Sequence, residues 1–174
     1  MTYLTICSKE DAEEALEAVR TSARRTRDWI GSQAGEPLEL FRNVKFETVG
    51  YHPLDCRPLN IIEQINQTWT FAVALLAAKQ ILDLHPNVKE LRLAPGAHAC
   101  LELDIMSAES GLVGAETFAA VTPRNNRKLN NDLNKLTGRP ESHRYVFFMC
   151  PLFRGNQRLH RFERDGIQVW SVDL

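Results

Sequence analysis

Residues 88–121 read VKELRLAPGAHACLELDIMSAESGLVGAETFAAV, and this stretch decides the fold. Three strand candidates follow one another in it, separated by Pro95-Gly96 and by the polar segment 107–111. Connections this short join neighbouring antiparallel strands, because a parallel crossover needs a dozen or more residues. The stretch therefore predicts an antiparallel meander with strands over 88–94, 99–106 and 112–121.

The meander lies between two predicted helices. Upstream, Asn60 is a good N-cap, and apolar residues recur every three or four positions over 61–84 until His85-Pro86 ends the pattern. Downstream, leucines at helical spacing predict a helix over 126–136. The run 145–150 (YVFFMC) is continuously apolar, which is typical of a central strand covered on both faces. The predicted order is helix, three strands, helix, strand.

The flanking segments add a helix at one end and a hairpin at the other. Ser8 can cap a helix that runs to about Ile30, and its acidic first half and basic second half complement the helix dipole. The loosely alternating segment 38–49 is a candidate strand, and a C-terminal hairpin is predicted over 159–162 and 167–172. We predict a single α/β domain with a central mixed sheet over residues 1–174. Its parts are an N-terminal helix and connecting segment (1–58), a core (59–150) and the hairpin (151–174).

Composition and charge argue against several classes of protein. There are 21 basic and 22 acidic residues, so the net charge of −1 gives no support for a strongly basic nucleic-acid coat. The four cysteines are widely spaced without a metal-ligand pattern, which favours reduced thiols in the cytoplasm. No apolar run approaches the ~20 residues that span a bilayer, and no signal-peptide pattern opens the sequence. We therefore expect a cytoplasmic protein that does not bind membranes.

Acidic side chains stand out on the second and third predicted strands. Because side chains alternate between the two faces of a strand, Glu102 and Asp104 share one face, opposite Leu103 and Ile105. Glu116 lies on one face of the next strand. If the two acidic faces coincide, three carboxylates converge across strands about 4.8 Å apart. Such an oxygen cluster suits a hard divalent cation such as Mg²⁺.

This pattern resembles the signature of the PD-(D/E)XK nuclease-like (restriction-endonuclease-like) superfamily, an Asp on the second strand and Glu-x-Lys on the third. The matching residues are Asp104 and Glu116-Thr117-Phe118, and the αβββαβ element order covers about 59–150. The resemblance implies a hydrolase that cleaves nucleic-acid phosphodiesters, with Asp104 and Glu116 as ligands of Mg²⁺ or Mn²⁺. Weaker candidates for further metal ligands are Glu63, in the preceding helix, and Glu102.

Phe118 departs from the family pattern, because phenylalanine carries no charge and cannot hydrogen-bond a nucleophilic water. In some members of the family the lysine stands on the following helix, where Lys128 is the first candidate to replace it and Lys135 the second. Lys128 has an alternative role in a solvated i,i+4 ion pair with Asp132. His98, close in sequence to the acidic strand, is a further candidate ligand or base.

A basic stretch follows the third strand. Arg124, Arg127 and Lys135 place cations at and along the next helix, where they would bind nucleic-acid phosphates. A solvated, well-capped helix explains these residues equally well. Arg161 and Arg164 in the predicted hairpin either add to this basic surface or pair with neighbouring acids.

Two functions follow from these residues. The first is a metal-dependent phosphodiesterase or nuclease, active if a lysine from elsewhere replaces the one missing at Phe118. The second is a catalytically inactive nuclease-like fold that acts as a binding, regulatory or immunity-type interaction protein. Phe118 and the near-neutral charge favour the second function, while the acidic pair favours the first. The sequence leaves open a nucleic-acid partner, a protein partner and a homodimer.

Overall fold

A mixed sheet organises the part of the chain that the computed structural model describes, residues 3–96 and 100–174. The strands there are β1 (Leu4–Ile6), β2 (Gly50–Tyr51), β3 (Pro58–Leu59), β4 (Leu91–Leu93), β5 (Ile105–Ser107), β6 (Val113–Ala119), β7 (His143–Met149), β8 (Gln157–Arg158) and β9 (Ile167–Ser171). Seven of them form the sheet in the order β1-β4-β5-β6-β7-β9-β8, and β2 pairs with β3 separately. Strands β6, β7 and β9 are parallel to one another, and the other neighbours are antiparallel.

Helices cover both faces of this sheet. In the described residues they are α1 (Lys9–Ser32), α2 (Pro37–Phe46), α3 (Ile61–Leu84) and α4 (Lys128–Leu136). Helices α1 and α3 pack on one face, with Leu16 and Leu75 in the same core as Phe147. Helix α4 packs on the other face. No helix in these parts of the chain is both long and apolar enough to cross a membrane. The predicted α/β class with a central mixed sheet is confirmed.

Helix α3 has the bounds that the sequence predicts. The Asn60 side chain accepts a hydrogen bond from the Glu63 amide at 2.8 Å, which starts the helix, and the helix ends before His85. Helix α1 likewise begins with a capping box between Ser8 and Asp11. Both helices are therefore set by local capping chemistry together with an apolar face.

The predicted meander is confirmed, but its strands are shorter. Leu93 pairs with Ile105, and Ile105 pairs with Ala115, both antiparallel. Strand β5 begins only at Ile105 because residues 100–104 bend; the predicted strand start at residue 99, like His98, lies outside the described residues. The bend breaks the strand alternation, so that Leu103 packs on the α4 side of the sheet and Ile105 on the α3 side. The prediction that these two side chains share a face is wrong.

Strand β7 is an interior strand covered on both faces, as its sequence predicts. Residues 145–148 are buried because α3 covers one face and α4 the other. On the α4 side, Leu129, Leu133 and Leu136 pack against Val146 and Phe148. This is the inward leucine stripe expected of the helix.

The predicted strand within 38–49 is wrong, because α2 occupies most of that segment. Glu36 caps the helix by accepting a hydrogen bond from the Glu39 amide at 3.0 Å, and Pro37 occupies its first turn. No residue of α2 is buried. Its outward face exposes Leu38, Phe41 and Phe46, so the apolar pattern that suggested a strand belongs to a helix covered on one side only.

The C-terminal hairpin is present with a different first arm. Strand β8 pairs antiparallel with β9, and β9 also pairs in parallel with β7. Residues His160–Phe162, predicted as strand, form a 3₁₀ turn. Side chains three residues apart face the same way in such a turn, which lets both Leu159 and Phe162 pack on the α4-side core.

Two leucine-to-alanine substitutions test this placement. Leu75 is fully buried in α3, whereas Leu38 in α2 is 72% exposed. We expect Leu75→Ala to lower the free energy of unfolding by about 2–5 kcal/mol, because it leaves a cavity. Leu38→Ala should change it by less than about 0.5 kcal/mol. Urea unfolding measures both values, and equal losses would contradict the positions of α2 and α3.

Candidate functional site

Three carboxylates lie close together beside α4, and we call them the acidic cluster. Asp104 directly precedes β5, Glu116 is in the middle of β6, and Asp132 is in α4. Because Ile105 pairs with Ala115, Asp104 and Glu116 lie at the same end of the β5–β6 pair. The three residues are only 8%, 3% and 3% exposed, respectively. Burial raises the pKa of the Glu116 and Asp132 carboxyl groups, and the nearby negative charge of Asp104 adds to both shifts.

Asp104 is fixed to the backbone of β6. Its Oδ2 accepts hydrogen bonds from the Thr117 amide at 2.8 Å and from the Thr117 hydroxyl at 2.9 Å. The carboxylate thereby satisfies a buried amide at the point where regular β5 pairing stops. On the other side, the Asp104 carbonyl accepts a hydrogen bond from the Ala94 amide at 2.9 Å. The bend at 100–104 thus directs this side chain at Thr117.

Glu116 is paired with a lysine of the following helix. The Lys135 ammonium lies 2.7 Å from Glu116 Oε1, and its side chain remains 48% exposed. Burial of the carboxyl group and the charge of Asp104 raise the pKa of Glu116 to about 7, although Lys135 opposes the shift. Burial therefore outweighs the ion pair, and Glu116 gains its charge near neutral pH.

Asp132 is paired with Lys128 one turn earlier on α4. The Lys128 ammonium donates to Asp132 Oδ1 at 2.6 Å, so the predicted i,i+4 ion pair is present. The pair is not solvated as predicted, because the Asp132 side chain is buried. Burial raises the pKa of Asp132 to about 6 against the opposing effect of Lys128. The second oxygen, Oδ2, is buried without a hydrogen-bond partner in the described structure. Burial lowers the pKa of Lys128, but the neighbouring carboxylates outweigh it, so this lysine is held protonated and is poorly suited to act as a base.

Phe118 belongs to the apolar core. Its ring is buried and stacks on Phe148, with ring centroids 5.3 Å apart. It shares this core with the leucines of α4. An ammonium group at this position would be surrounded by apolar side chains, which is costly. The residue that departs from the nuclease pattern is therefore part of the packing between β6, β7 and α4.

The two weaker acidic candidates are not brought to the cluster. Glu63 is exposed in the first turn of α3, the helix on the opposite face of the sheet. The Glu102 side chain is 72% exposed and lies 2.5 Å from the Arg139 guanidinium, which also binds Glu141 at 2.9 Å. The structure therefore unites Asp104 and Glu116 but leaves Glu63 and Glu102 outside.

The cluster, as arranged, does not fit a magnesium ion. One oxygen of each carboxylate is already held, by Thr117, Lys135 or Lys128. Across residues 3–96 and 100–174, no group of three or more His, Cys, Asp or Glu side chains is placed to hold a metal ion. Octahedral Mg²⁺ coordination needs oxygens at about 2.1 Å from the ion. Here the Glu116 and Asp132 carboxylates are paired with lysine ammonium groups instead. The predicted Mg²⁺ or Mn²⁺ cofactor stays a prediction.

A second feature, the arginine groove, lies at the start of α4. It is a cleft of about 520 Å³ whose cationic lining is Arg124, Arg127, Arg161 and Arg164. The Arg161 guanidinium lies over the rings of Phe153 and Phe162, 4.8 and 5.0 Å from their centroids. Arg164 is held against α4 by the Asn134 side chain. Two of the predicted phosphate-binding residues, Arg124 and Arg127, thus line the same cleft as the C-terminal arginines. The third, Lys135, pairs with Glu116 instead.

No protein-family model, curated protein or solved structure matches this chain. Its site is therefore interpreted from its own geometry.

The spacing of three charged residues on α4 indicates their common position in the acidic cluster, although the pairing of Lys135 with Glu116 was not predicted. Lys128, Asp132 and Lys135 stand at positions i, i+4 and i+7, which places them on one side of a helix. Their charged stripe borders the leucine stripe of α4 and faces the bend before β5. Strand alternation places Thr117 on the face opposite Glu116, and the bend at 100–104 explains its contact with Asp104.

Glu116→Gln tests the raised pKa of the buried carboxyl group. The pKa of Glu116 in the folded state, about 7, exceeds the ordinary value of 4.5. The contribution of Glu116 to the free energy of unfolding therefore falls as pH rises from 4.5 to about 7. Glutamine keeps the shape of the protonated acid but cannot ionise. We expect the stability of wild type relative to the variant to fall by roughly 2–3 kcal/mol between about pH 5 and about pH 8, measured by urea unfolding.

Glu163→Gln is the matched control for this experiment. Its hydrogen bond to Arg158 holds the pKa of the Glu163 carboxyl group below its ordinary value. Glu163 is thus ionised in the folded and unfolded states across the same pH interval, and its variant should show no such trend. A flat difference for Glu116→Gln as well would contradict the burial of a titrating carboxyl group.

Proposed function

We propose that this chain is a PD-(D/E)XK-like domain that binds nucleic acid and does not cleave it. The order α3, β4, β5, β6, α4, β7 supports the fold assignment, as does an antiparallel meander followed by a parallel strand. The acids Asp104 and Glu116 stand at the second and third strands of this meander, where the family carries its acidic pair.

The observation that carries the proposal is the burial of Glu116 under Lys135. The carboxyl group is 3% exposed, and an ammonium group lies 2.7 Å from one of its oxygens. A phosphodiester would have to displace Lys135 to approach this acid. Removal of that partner alone would leave a buried carboxylate uncompensated, which is costly. The acidic cluster is thus better suited to holding α4 on the sheet than to chemistry.

The arginine groove supports the binding part of the proposal. Four guanidinium groups line one cleft, and the one acid among the lining residues is Glu163, which is paired with Arg158. Arginine binds phosphate oxygens through two parallel hydrogen bonds, so a phosphodiester backbone fits this charge pattern. Such binding contacts the phosphate backbone, weakens as the salt concentration rises, and needs no base-specific contact.

A metal-dependent nuclease is the second candidate function, and the position of Lys135 favours it. This lysine reaches from the helix after the third strand to Glu116, as a relocated family lysine would. Lys135 is thus a better match for the missing lysine than Lys128, which is bound to Asp132.

A cleavage assay separates the two functions. We expect no Mg²⁺- or Mn²⁺-dependent cleavage of plasmid DNA, single-stranded DNA or RNA by the wild type, because Glu116 is covered. Any background should be unchanged in Asp104→Asn and Glu116→Gln, with folding verified by thermal unfolding. Cleavage that needs the metal and falls at least about 100-fold in both folded variants would establish the nuclease instead.

A binding assay tests the arginine groove. We expect labelled single-stranded DNA to bind in fluorescence anisotropy at low salt, and the double variant Arg124→Gln/Arg127→Gln to weaken binding about 10-fold. The slope of log affinity against log salt should become shallower by about 2, one for each lost phosphate contact. The matched control is Arg24→Gln/Arg27→Gln on α1, which removes the same charge from exposed ion pairs. Equal weakening in both double variants, or no binding by the wild type, would overturn the proposal.

A further inference from the structure

A pocket of about 460 Å³ lies at the carboxyl ends of the three parallel strands. Residues just at or after the ends of β6, β7 and β9 line it, together with one residue of α3. We call it the strand-end pocket, and the lining residues used below are Trp69, Val121, Met149, Arg154 and Asp173. It shares no lining residue with the arginine groove. Ligands of open α/β sheets bind outside the carboxyl ends of parallel strands, where adjacent connections diverge.

The walls of the strand-end pocket are apolar and include an aromatic ring. Trp69 is 40% exposed, and Val121 is also exposed. Ala119, Ala120 and Pro151 supply short side chains to the lining. A large indole opposite small side chains leaves room for a flat ring system. The volume falls within the range of small-molecule sites, about 300–1,000 Å³.

Two charged side chains line the pocket, the Arg154 guanidinium and the Asp173 carboxylate. The two Asp173 oxygens accept hydrogen bonds from the Gly155 amide at 3.0 Å and from the Leu174 amide at 3.1 Å, so this carboxylate is held by the backbone and does not pair with Arg154. Within residues 3–96 and 100–174, the exposed Arg154 guanidinium has no hydrogen bond or ion pair to another side chain. An arginine at the mouth of an apolar cleft is suited to bind a carboxylate, sulfonate or phosphate group.

We propose that the strand-end pocket binds a small planar aromatic molecule that carries one anionic group. The ring packs against the Trp69 indole, and the anion pairs with Arg154. The combination of one flat apolar wall and one free guanidinium selects for both parts of such a ligand. This site goes beyond the proposed nucleic-acid function, and other residues line it.

Anilinonaphthalene sulfonate is a suitable probe because it joins a planar aromatic system to one sulfonate. The chain has three methionines, and Met149 lines the pocket whereas Met106 packs on the α4-side core. With ¹³C-labelled methionine methyl groups, NMR titration should show a saturable shift of the Met149 signal at one dye per chain. The Met106 signal should stay in place.

Two substitutions and an uncharged dye separate the two parts of the site. Arg154→Gln should weaken the sulfonate dye at least about 10-fold and leave N-phenylnaphthylamine, the same ring system without the anion, unchanged. Trp69→Leu should weaken both dyes, while Trp29→Leu on α1 should weaken neither. Thermal unfolding verifies that each variant is folded, and both pocket residues tested are at least partly exposed.

Three results would overturn this inference. The first is an Arg154→Gln variant that binds the sulfonate dye within twofold of wild type. The second is dye fluorescence that disappears in Phe41→Ala while Met149 never shifts, which would place the dye on the exposed face of α2. The third is loss of single-stranded DNA binding in Trp69→Leu together with displacement of DNA by the dye. That result would assign the pocket to a nucleic-acid base and would leave the arginine groove to be judged by its own variants.

Discussion

The burial of a carboxylate in the middle of β6 constrains the arrangement around it. Strand β6 is paired on both edges and covered on both faces, so the Glu116 side chain cannot turn to water. A buried charge is tolerated only with a partner, and Lys135 supplies it from α4. Helix α4 therefore lies across β6 in one orientation about its own axis. Its leucine stripe packs on β7, and its charged stripe faces β5. The parallel register of β6 and β7 places Phe118 beside Phe148 under the leucines of this helix.

Helix α4 separates two electrostatic environments. On the β5 side, two lysines pair with two of the three carboxylates, and Thr117 binds the third. On the C-terminal side, arginines collect with few acids among them. A nuclease needs its acids and its phosphate-binding cations to face one substrate. Here they lie on different sides of one helix, and the acids are paired with lysines of that helix.

Much of the fold could be predicted because its signals are local. Asn60 and His85-Pro86 mark the ends of α3, and an unbroken apolar run marks β7. The strand within 38–49 was predicted wrongly because α2 has no buried residue, and its apolar pattern therefore carries little information. The pairing of Lys135 with Glu116 joins residues 19 positions apart and depends on how α4 rotates on the sheet. That rotation is set by packing, which sequence periodicity alone does not give. Likewise, the arginine groove exists only because β9 joins β7 and brings the C-terminal segment beside α4.

The strands at the two borders of the sheet are very short. Strand β1 has three residues and β8 has two, whereas β6 and β7 in the interior have seven each. The unpaired N–H and C=O groups of an edge strand can hydrogen-bond to a strand of another chain. A short edge strand offers few such groups, so it makes this pairing less favourable. A second copy of the protein would find only a few amide and carbonyl groups to pair with at either border. Copies of the protein can therefore associate through their side-chain surfaces, whereas the short edge strands disfavour a continuous sheet that runs from one copy to the next.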